Sequence, residues 1–595
     1  MRQPTSFRMK ILIMSAVLAG VASAESPDAR SFPATPAALE RHIEELNAQL
    51  GVAFWLADNL GSRDTEMLAS YADREMTRVF ASGIAKLRTA GPATWSEEDR
   101  RKLMLLQHRP ERPLQEDPES RAELQRLTTD LRRSTATTAL CLENGPCLDR
   151  RGVEDRMRYI ADPLQRRVLW QNWLEQLSPA RDRYPGVVGA LNEAAVEWGY
   201  TDFGDWRLTR YETETALLLE EIEDLWDQIK PLYTALHCHV RARLATHYGI
   251  EESGEDSPIP PYLLDSLDPR DWGELYRLMA VDLPEPPSLD QSVPARFASV
   301  EELAHIAAAF FGTLGYPPLP ESFWQRSNFD AGMDGDDCRQ SGWNVDWRRD
   351  VRVSTCSEVG EKNFRWLHWI IAHLQYDLAF SDLDWSYRDP PHPGFHRAHA
   401  GVAILSLTPV YLRGLGLTGD LPDDRQELAR LLRQALQILP QIAGNLATEK
   451  WRWSVFGGRV SVDDYNRQWW HLWRRYAGIS DSAAENTGFA AALLPETVTN
   501  EALLPDVFGT LIGYQLLAAG CADASVALHQ CSVAGDKAFG SRLWSMLSVG
   551  ASRPWRDALQ LATGSRKISA AALVEYYAPL RHWLDEQNQA RSCGW

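Results

Sequence analysis

Helical periodicity governs this chain. Three stretches, "TPAALERHIEELNAQLGVAFWLADN", "TETALLLEEIEDLWDQIKPLYTALHCHVRARLATHYG" and "DDRQELARLLRQALQILPQIAGNLATEKWRW", set apolar residues three and four apart with charges between them. That spacing puts the apolar side chains on one face of a helix, which must then be buried against another element. Thr213 is the expected N-cap of the second stretch, and Asp423 or Asp424 that of the third. Strand-like alternation is nearly absent; "RRDVRVSTC", residues 348–356, is the best strand segment. Pro-rich breaks fall at "QHRPERPLQEDPES", "SPIPPY", "LPEPPSLDQSVP" and "DPPHPGF". There is no internal repeat and no low-complexity tract. The expected fold is mainly α. The 23 tryptophans point to an aromatic interior, with helix packing as the main use and a groove lining as the second.

Residues 1–24 read as an export signal. Arg2, Arg8 and Lys10 form a positive start, "ILIMSAVLAGV" is too short to span a bilayer, and "ASA" before Glu25 is a small-residue cleavage site. A mature chain of residues 25–595, secreted and placed in a bacterial periplasm, is the expectation. Its length exceeds what one simple core covers, so several lobes are expected. No later stretch is apolar and long enough for a membrane span. Loss of the signal moves the net charge from −19 to −22, and a chain so acidic, with no basic run, excludes a nucleic-acid partner. The eight cysteines suit an oxidising compartment. Cys141/Cys147, Cys338/Cys356 and Cys521/Cys531 lie close enough in sequence to close short loops. Cys238 and Cys593 are left over, and their state is open.

One region has the spacing of a helical zinc-peptidase site. "WIIAHLQY" is followed some twenty residues later by "PGFHRAHAGV". Chemistry of that kind needs H-E-x-x-H: two histidines one turn apart to hold the ion, and a glutamate between them as base for the metal-bound water. A third ligand comes from a later helix. Here the first element reads W-I-I-A-H, and none of the fourteen histidines begins an H-E-x-x-H.

Taken together, "LCLENGPCL", "LYTALHCHVRARLATHYG", "SPIPPYLL", "AHLQY", "PHPGFHRA", "WRWSVFGG", "YNRQWWHLWRRYAGI" and "SRPWRDALQLATG" resemble the angiotensin-converting enzyme family of zinc peptidyl-dipeptidases. The resemblance runs collinearly over residues 35–595. It implies an all-α, two-lobed helical ellipsoid of zincin-like fold with a deep central cleft, and it assigns the three close cysteine pairs to the family's disulfides. It also implies that His373 keeps the second zinc histidine. Trp369 stands at the first, Ile370 at the catalytic glutamate, Arg397 at the third ligand and Gly401 at a supporting acid. Neither indole nor isoleucine replaces a ligand or a base, and a guanidinium repels a cation.

The same carry-over reaches the substrate-binding positions. Arg339 and Gln340 replace a His and an Ala that touch substrate. Leu494, Glu496 and Leu503 stand where the family grips a peptide with Lys, His and Tyr, and Arg270 stands at an associated Gln. Of the chloride positions, Arg207 and Trp469 are retained, whereas Trp473 and Pro505 replace arginines; chloride binding is therefore not expected.

The resulting expectation is an exported pseudo-peptidase with no catalytic residues and no zinc. It would bind a peptide or protein partner, with Arg270, Arg339 and Arg397 favouring acidic peptides. His373 is expected as a hydrogen-bonded cleft residue, and Arg397 as the partner of an acid across the cleft. Two rival readings are an active metallopeptidase with a rebuilt site around His373, His396 and His399, and a periplasmic scaffold.

Overall fold

The computed structural model describes residues 35–90, 95–142, 145–250, 257–280, 282–331 and 340–595, with residues 333–334 and 337–338 as backbone only. The expected export signal, residues 1–24, and Arg339 lie outside the described residues. The chain divides into two compact units, residues 1–110 and 111–595.

In the first unit, α1 (Pro36–Leu60) and α2 (Arg63–Thr89) form a hairpin. Gly61 ends α1 in the left-handed region, and Ser62 and Thr65 form a capping box that starts α2. Leu39, Ile43, Val79, Ile84 and Leu87 are buried there, and Gly83 leaves room for Leu39, whose Cδ1 would lie 2.4 Å from an added Cβ. Lys102 on α3 (Glu97–His108) is paired with Glu40 at 3.2 Å, both nearly inaccessible.

The second unit is also helical. The helices that build its centre are α4 (Phe203–Thr209), α5 (Thr215–Tyr248), α6 (Val300–Thr313), α7 (Glu361–Ala379), α8 (Phe395–Leu405), α9 (Asp424–Phe456), α10 (Tyr465–Ala477) and α11 (Leu504–Gly520). Asp423 caps α9 in a capping box with Gln426, as its sequence suggested. Thr213 does not cap α5: the helix begins one residue later, after Glu214, and the Thr213 hydroxyl instead donates to Tyr211 O at 3.0 Å. Helix α7 packs on α6 and α8, and α8 packs closely on α11. Among the described residues the strands form three two-stranded antiparallel ribbons. One of them pairs β1 (Ser341–Asn344) with β2 (Val351–Ser354), setting Gly342 opposite Val353. The expected strand within 348–356 is therefore present; its partner had no alternation to announce it.

Most tryptophans pack helices. Trp170, Trp206, Trp272, Trp451, Trp469, Trp470, Trp473 and Trp555 are among the largest fully buried side chains. Cys141–Cys147 and Cys521–Cys531 are disulfides, and Cys356 is disulfide-bonded; the side chain of Cys338 lies outside the described residues. Cys238 and Cys593, left open by the sequence, join each other across 355 residues. No described helix is long and apolar enough to cross a membrane.

Candidate functional site

Helix α7 carries W-I-I-A-H. Glu361 secures its first turn by accepting from Leu289 N at 2.7 Å and from Arg365 Nε at 2.6 Å. Phe364, Leu367, Ile371 and Leu374 are buried at helical spacing and hold the helix in the core. Ile370 faces the ribbon and is 8% exposed. A Cβ added to Gly342 would lie 2.4 Å from both Cγ1 and Cδ1 of Ile370. The isoleucine thus packs directly against the glycine's backbone in β1.

His373 lies one turn further along α7. Its ring is 4.2 Å from that of Trp369 and 5.1 Å from that of His396, the two imidazole planes being 6° apart. Nε2 of His373 is buried with no hydrogen-bond partner, so the expected hydrogen-bonded cleft residue is instead held by ring stacking. Burial, reinforced by the neighbouring His396, keeps this imidazole well below its usual pKa. His396 Nε2 lies 3.4 Å from Asp377 Oδ1.

His399 has both ring nitrogens engaged, Nδ1 with Ala372 O at 2.9 Å and Nε2 with the Tyr316 hydroxyl at 3.2 Å. Burial pulls its pKa to about 3. Of the three histidines considered for a rebuilt metal site, two are stacked face to face and the third is committed elsewhere. Among the described residues, no three His, Cys, Asp or Glu side chains are grouped to share an ion. The donors present do not fit a tetrahedral zinc site, which needs three converging protein ligands.

Arg397 pairs with Asp506 of α11 at 3.0 Å, the acid partner its sequence position called for. Its stem lies over Gly509, where an added Cβ would come within 2.7 Å of Arg397 Cβ. A Cβ on Gly394 would meet Gly509 N at 2.7 Å, whereas one on Gly401 would find only Gly513 Cα at 3.9 Å. Glycines on both helices let α8 and α11 approach backbone to backbone. Burial raises the Asp506 carboxyl above its usual range, opposed by Arg397 and Arg270.

Arg270 is not the spare positive charge the sequence suggested. Arg270 is 7% exposed, and its guanidinium is paired with Asp268 at 2.6 Å and Glu496 at 3.0 Å and donates to Asn445 Oδ1 at 2.8 Å. With Arg397 also paired, the charge that favoured acidic peptides is neutralised at both residues from within the chain. Leu494 and Leu503 are buried core residues. Glu449 on α9 accepts from Leu503 N at 2.6 Å and from Arg452 Nη2 at 2.7 Å, while Arg452 Nη1 donates to Glu501 O. That buried pair anchors the segment carrying Glu496 and Leu503. Gln340 donates to Thr355 Oγ1 at 3.3 Å and to Asn363 Oδ1, bracing the entry to β1.

Of the residues the resemblance places at chloride positions, Arg207 has its guanidinium over the Phe203 ring at 4.6 Å with Nη1 buried and unpartnered. Burial, then Arg452, pulls its pKa down to about 10. Trp469 and Trp473 are inaccessible and stacked with ring centres 5.4 Å apart. Pro505 sits in the first turn of α11. Sequence reasoning passed over Asp506, Glu449, Arg452 and Gly342. The G-x-x-x-G spacing of Gly509 and Gly513 was the one available signal for the close helix contact.

Comparison with known proteins assigns the ancestry of this arrangement. A sequence model described as "Angiotensin-converting enzyme" matches residues 26–595. Angiotensin-converting enzyme of Rattus norvegicus is 32% identical over 438 residues, covering 72% of this chain and 33% of that protein. The enzyme of the leech Theromyzon tessulatum is 32% identical over 435 residues, 72% of this chain and 70% of that one. Angiotensin-converting enzyme-like protein Ace3 of Mus musculus is 30% identical over 547 residues, 89% and 73% respectively. The chain thus spans about a third of the length of the rat enzyme.

Proposed function

The chain belongs to the angiotensin-converting enzyme family of peptidases, and from that premise we propose that it is a pseudo-peptidase, with residues 25–595 forming one peptidase-like domain that binds a peptide or protein partner without cutting it. One observation carries the reading. The side chain at the family's base position, Ile370, is an apolar group packed on Gly342, with no proton to exchange.

Zinc, where a peptidase holds it, supplies a Lewis acid and a water of lowered pKa. Trp369 offers an indole N–H, which donates only, and Arg397 a fixed cation. His373 alone keeps a ligating group, and one imidazole does not make a site. The rebuilt-site alternative loses His399 to its bonds with Ala372 and Tyr316. Export is part of the same proposal, supported by the disulfides Cys141–Cys147, Cys238–Cys593 and Cys521–Cys531, which persist in oxidising compartments.

The test is a peptidase assay with added zinc, using internally quenched short peptides with free C-termini. The purified chain is expected to give no more cleavage than its His373→Ala variant. Turnover that His373→Ala abolishes would refute the proposal.

A further inference from the structure

The second unit holds a cavity of about 550 Å³ whose walls include α4, the segment 499–506 and part of α9. Its volume falls within the roughly 300–1,000 Å³ of small-molecule sites. We infer that this cavity binds an organic monocarboxylate with an apolar body, of short-peptide size, and that Arg207 and Arg210 receive its carboxylate. The inference rests on the reading that binding, not hydrolysis, is what this chain does.

The charges lining the cavity are unequally satisfied. Of its four acids, Glu449 is committed to Arg452 and Leu503 N and Asp506 to Arg397, while Glu501 accepts from the Thr499 hydroxyl and Glu111 is exposed. Among the described residues, neither Arg207 nor Arg210 forms an ion pair, and Arg207 Nη1 is buried without a partner. A guanidinium stays charged at any ordinary pH, so burying its Nη1 without a hydrogen-bond partner is costly, although the nearby Glu449 offsets part of the charge. The lowered pKa of Arg207 has the same physical cause. A ligand carboxylate would supply the acceptor, and two arginines three residues apart on adjoining turns can share its two oxygens.

The walls select the rest of the ligand. Phe203, Trp206, Tyr211 and Trp453 line the cavity and suit an apolar or aromatic body. The carboxylates of Glu501 and Asp506 on the same wall disfavour a multiply charged anion such as phosphate. A chloride ion would use the arginines but none of the aromatic wall.

Binding of N-acetyl-Phe-Phe, of its C-terminal amide and of sodium chloride would be measured by calorimetry on the full chain and on Arg210→Gln and Arg207→Gln. Arg210 is half-buried, so its variant keeps the test open if Arg207→Gln does not fold. The expected result is binding of the acid, with affinity lowered about tenfold or more by the amide and by Arg210→Gln, at an unchanged melting temperature for Arg210→Gln. Equal binding of acid and amide, no effect of Arg210→Gln, or a response to chloride alone would overturn the inference. Zinc content and cleavage are read on the same samples. Absence of binding with no zinc defeats this site only, whereas bound zinc with cleavage of the peptide probes defeats the pseudo-peptidase reading.

Discussion

Ile370 and Gly342 are an interlocked pair. The Ile370 side chain reaches into space that any side chain at 342 would occupy, since an added Cβ would lie 2.4 Å from two of its carbons. Gly342→Ala is therefore expected to destabilise the protein by about 1–3 kcal/mol through overpacking. Ile370→Ala alone should cost about 2–5 kcal/mol through lost burial and a cavity. In the double variant the alanine methyl refills part of that space, so the two costs should fall short of additive by more than about 1 kcal/mol. Denaturant melts of the four proteins measure this; strict additivity would show that the two side chains do not compete. The proposed losses at Trp369, Ile370 and Arg397 follow from the family resemblance taken with residue type, because an indole, an aliphatic chain and a guanidinium neither ligate zinc nor act as a base. The partners were not legible from sequence. Nothing in the sequence placed Asp506 beside Arg397, or Glu496 beside Arg270 across 226 residues, because such contacts are set by tertiary packing.

Among elements, the contact of α8 with α11 is set by glycine. Gly509 faces Gly394 O at 2.8 Å and Arg397 Cβ at 2.7 Å from an added Cβ, and the carbonyl belongs to backbone that cannot step aside. Gly509→Ala should lower stability by about 2–3 kcal/mol. Gly401 is a mid-helix glycine with nothing closer than 3.9 Å. Gly401→Ala should be neutral or stabilising by up to about 1 kcal/mol, through helix propensity. Thermal melts of the two variants decide it; equal losses would mean the close approach is not what fixes the helix pair. Long helices were legible because their apolar period is strong and survives context, as at α5 and α9. Both contain an interior proline, Pro231 and Pro440, yet run on, since burial along the helix outweighs one lost bond. Short ribbons were less legible because two to four residues are too few for alternation to register.

Across the whole molecule, burial has silenced a set of histidines. It pulls His237, His392 and His399 to about 3 and His239 and His368 to about 4, and holds His373 well below its usual value. Above pH 6.5 these groups are neutral whether the chain is folded or not. Below it the unfolded chain takes up protons that the folded chain refuses, so stability falls as pH drops from 6.5 toward 4. At pH 5 each of the five held at about 3 or about 4 removes on the order of 2 kcal/mol; Asp506, raised by burial, acts in the opposite sense but is a single group. Melting temperature should therefore fall steeply between pH 6.5 and 5 and be level above 7. A flat profile down to pH 5 would contradict the neutral buried set. Family membership was legible at this scale, since ordered motifs recur along the whole chain. The Cys238–Cys593 bridge was not, because two cysteines 355 residues apart carry no local signal.

The central claim is that the metal site has become packing, and zinc stoichiometry tests it most directly. The purified chain would be incubated with zinc, dialysed exhaustively beside a relative that keeps H-E-x-x-H, and assayed by elemental analysis. Close to zero zinc per chain is predicted, with the relative retaining about one. Retention near one zinc by this chain would contradict the account.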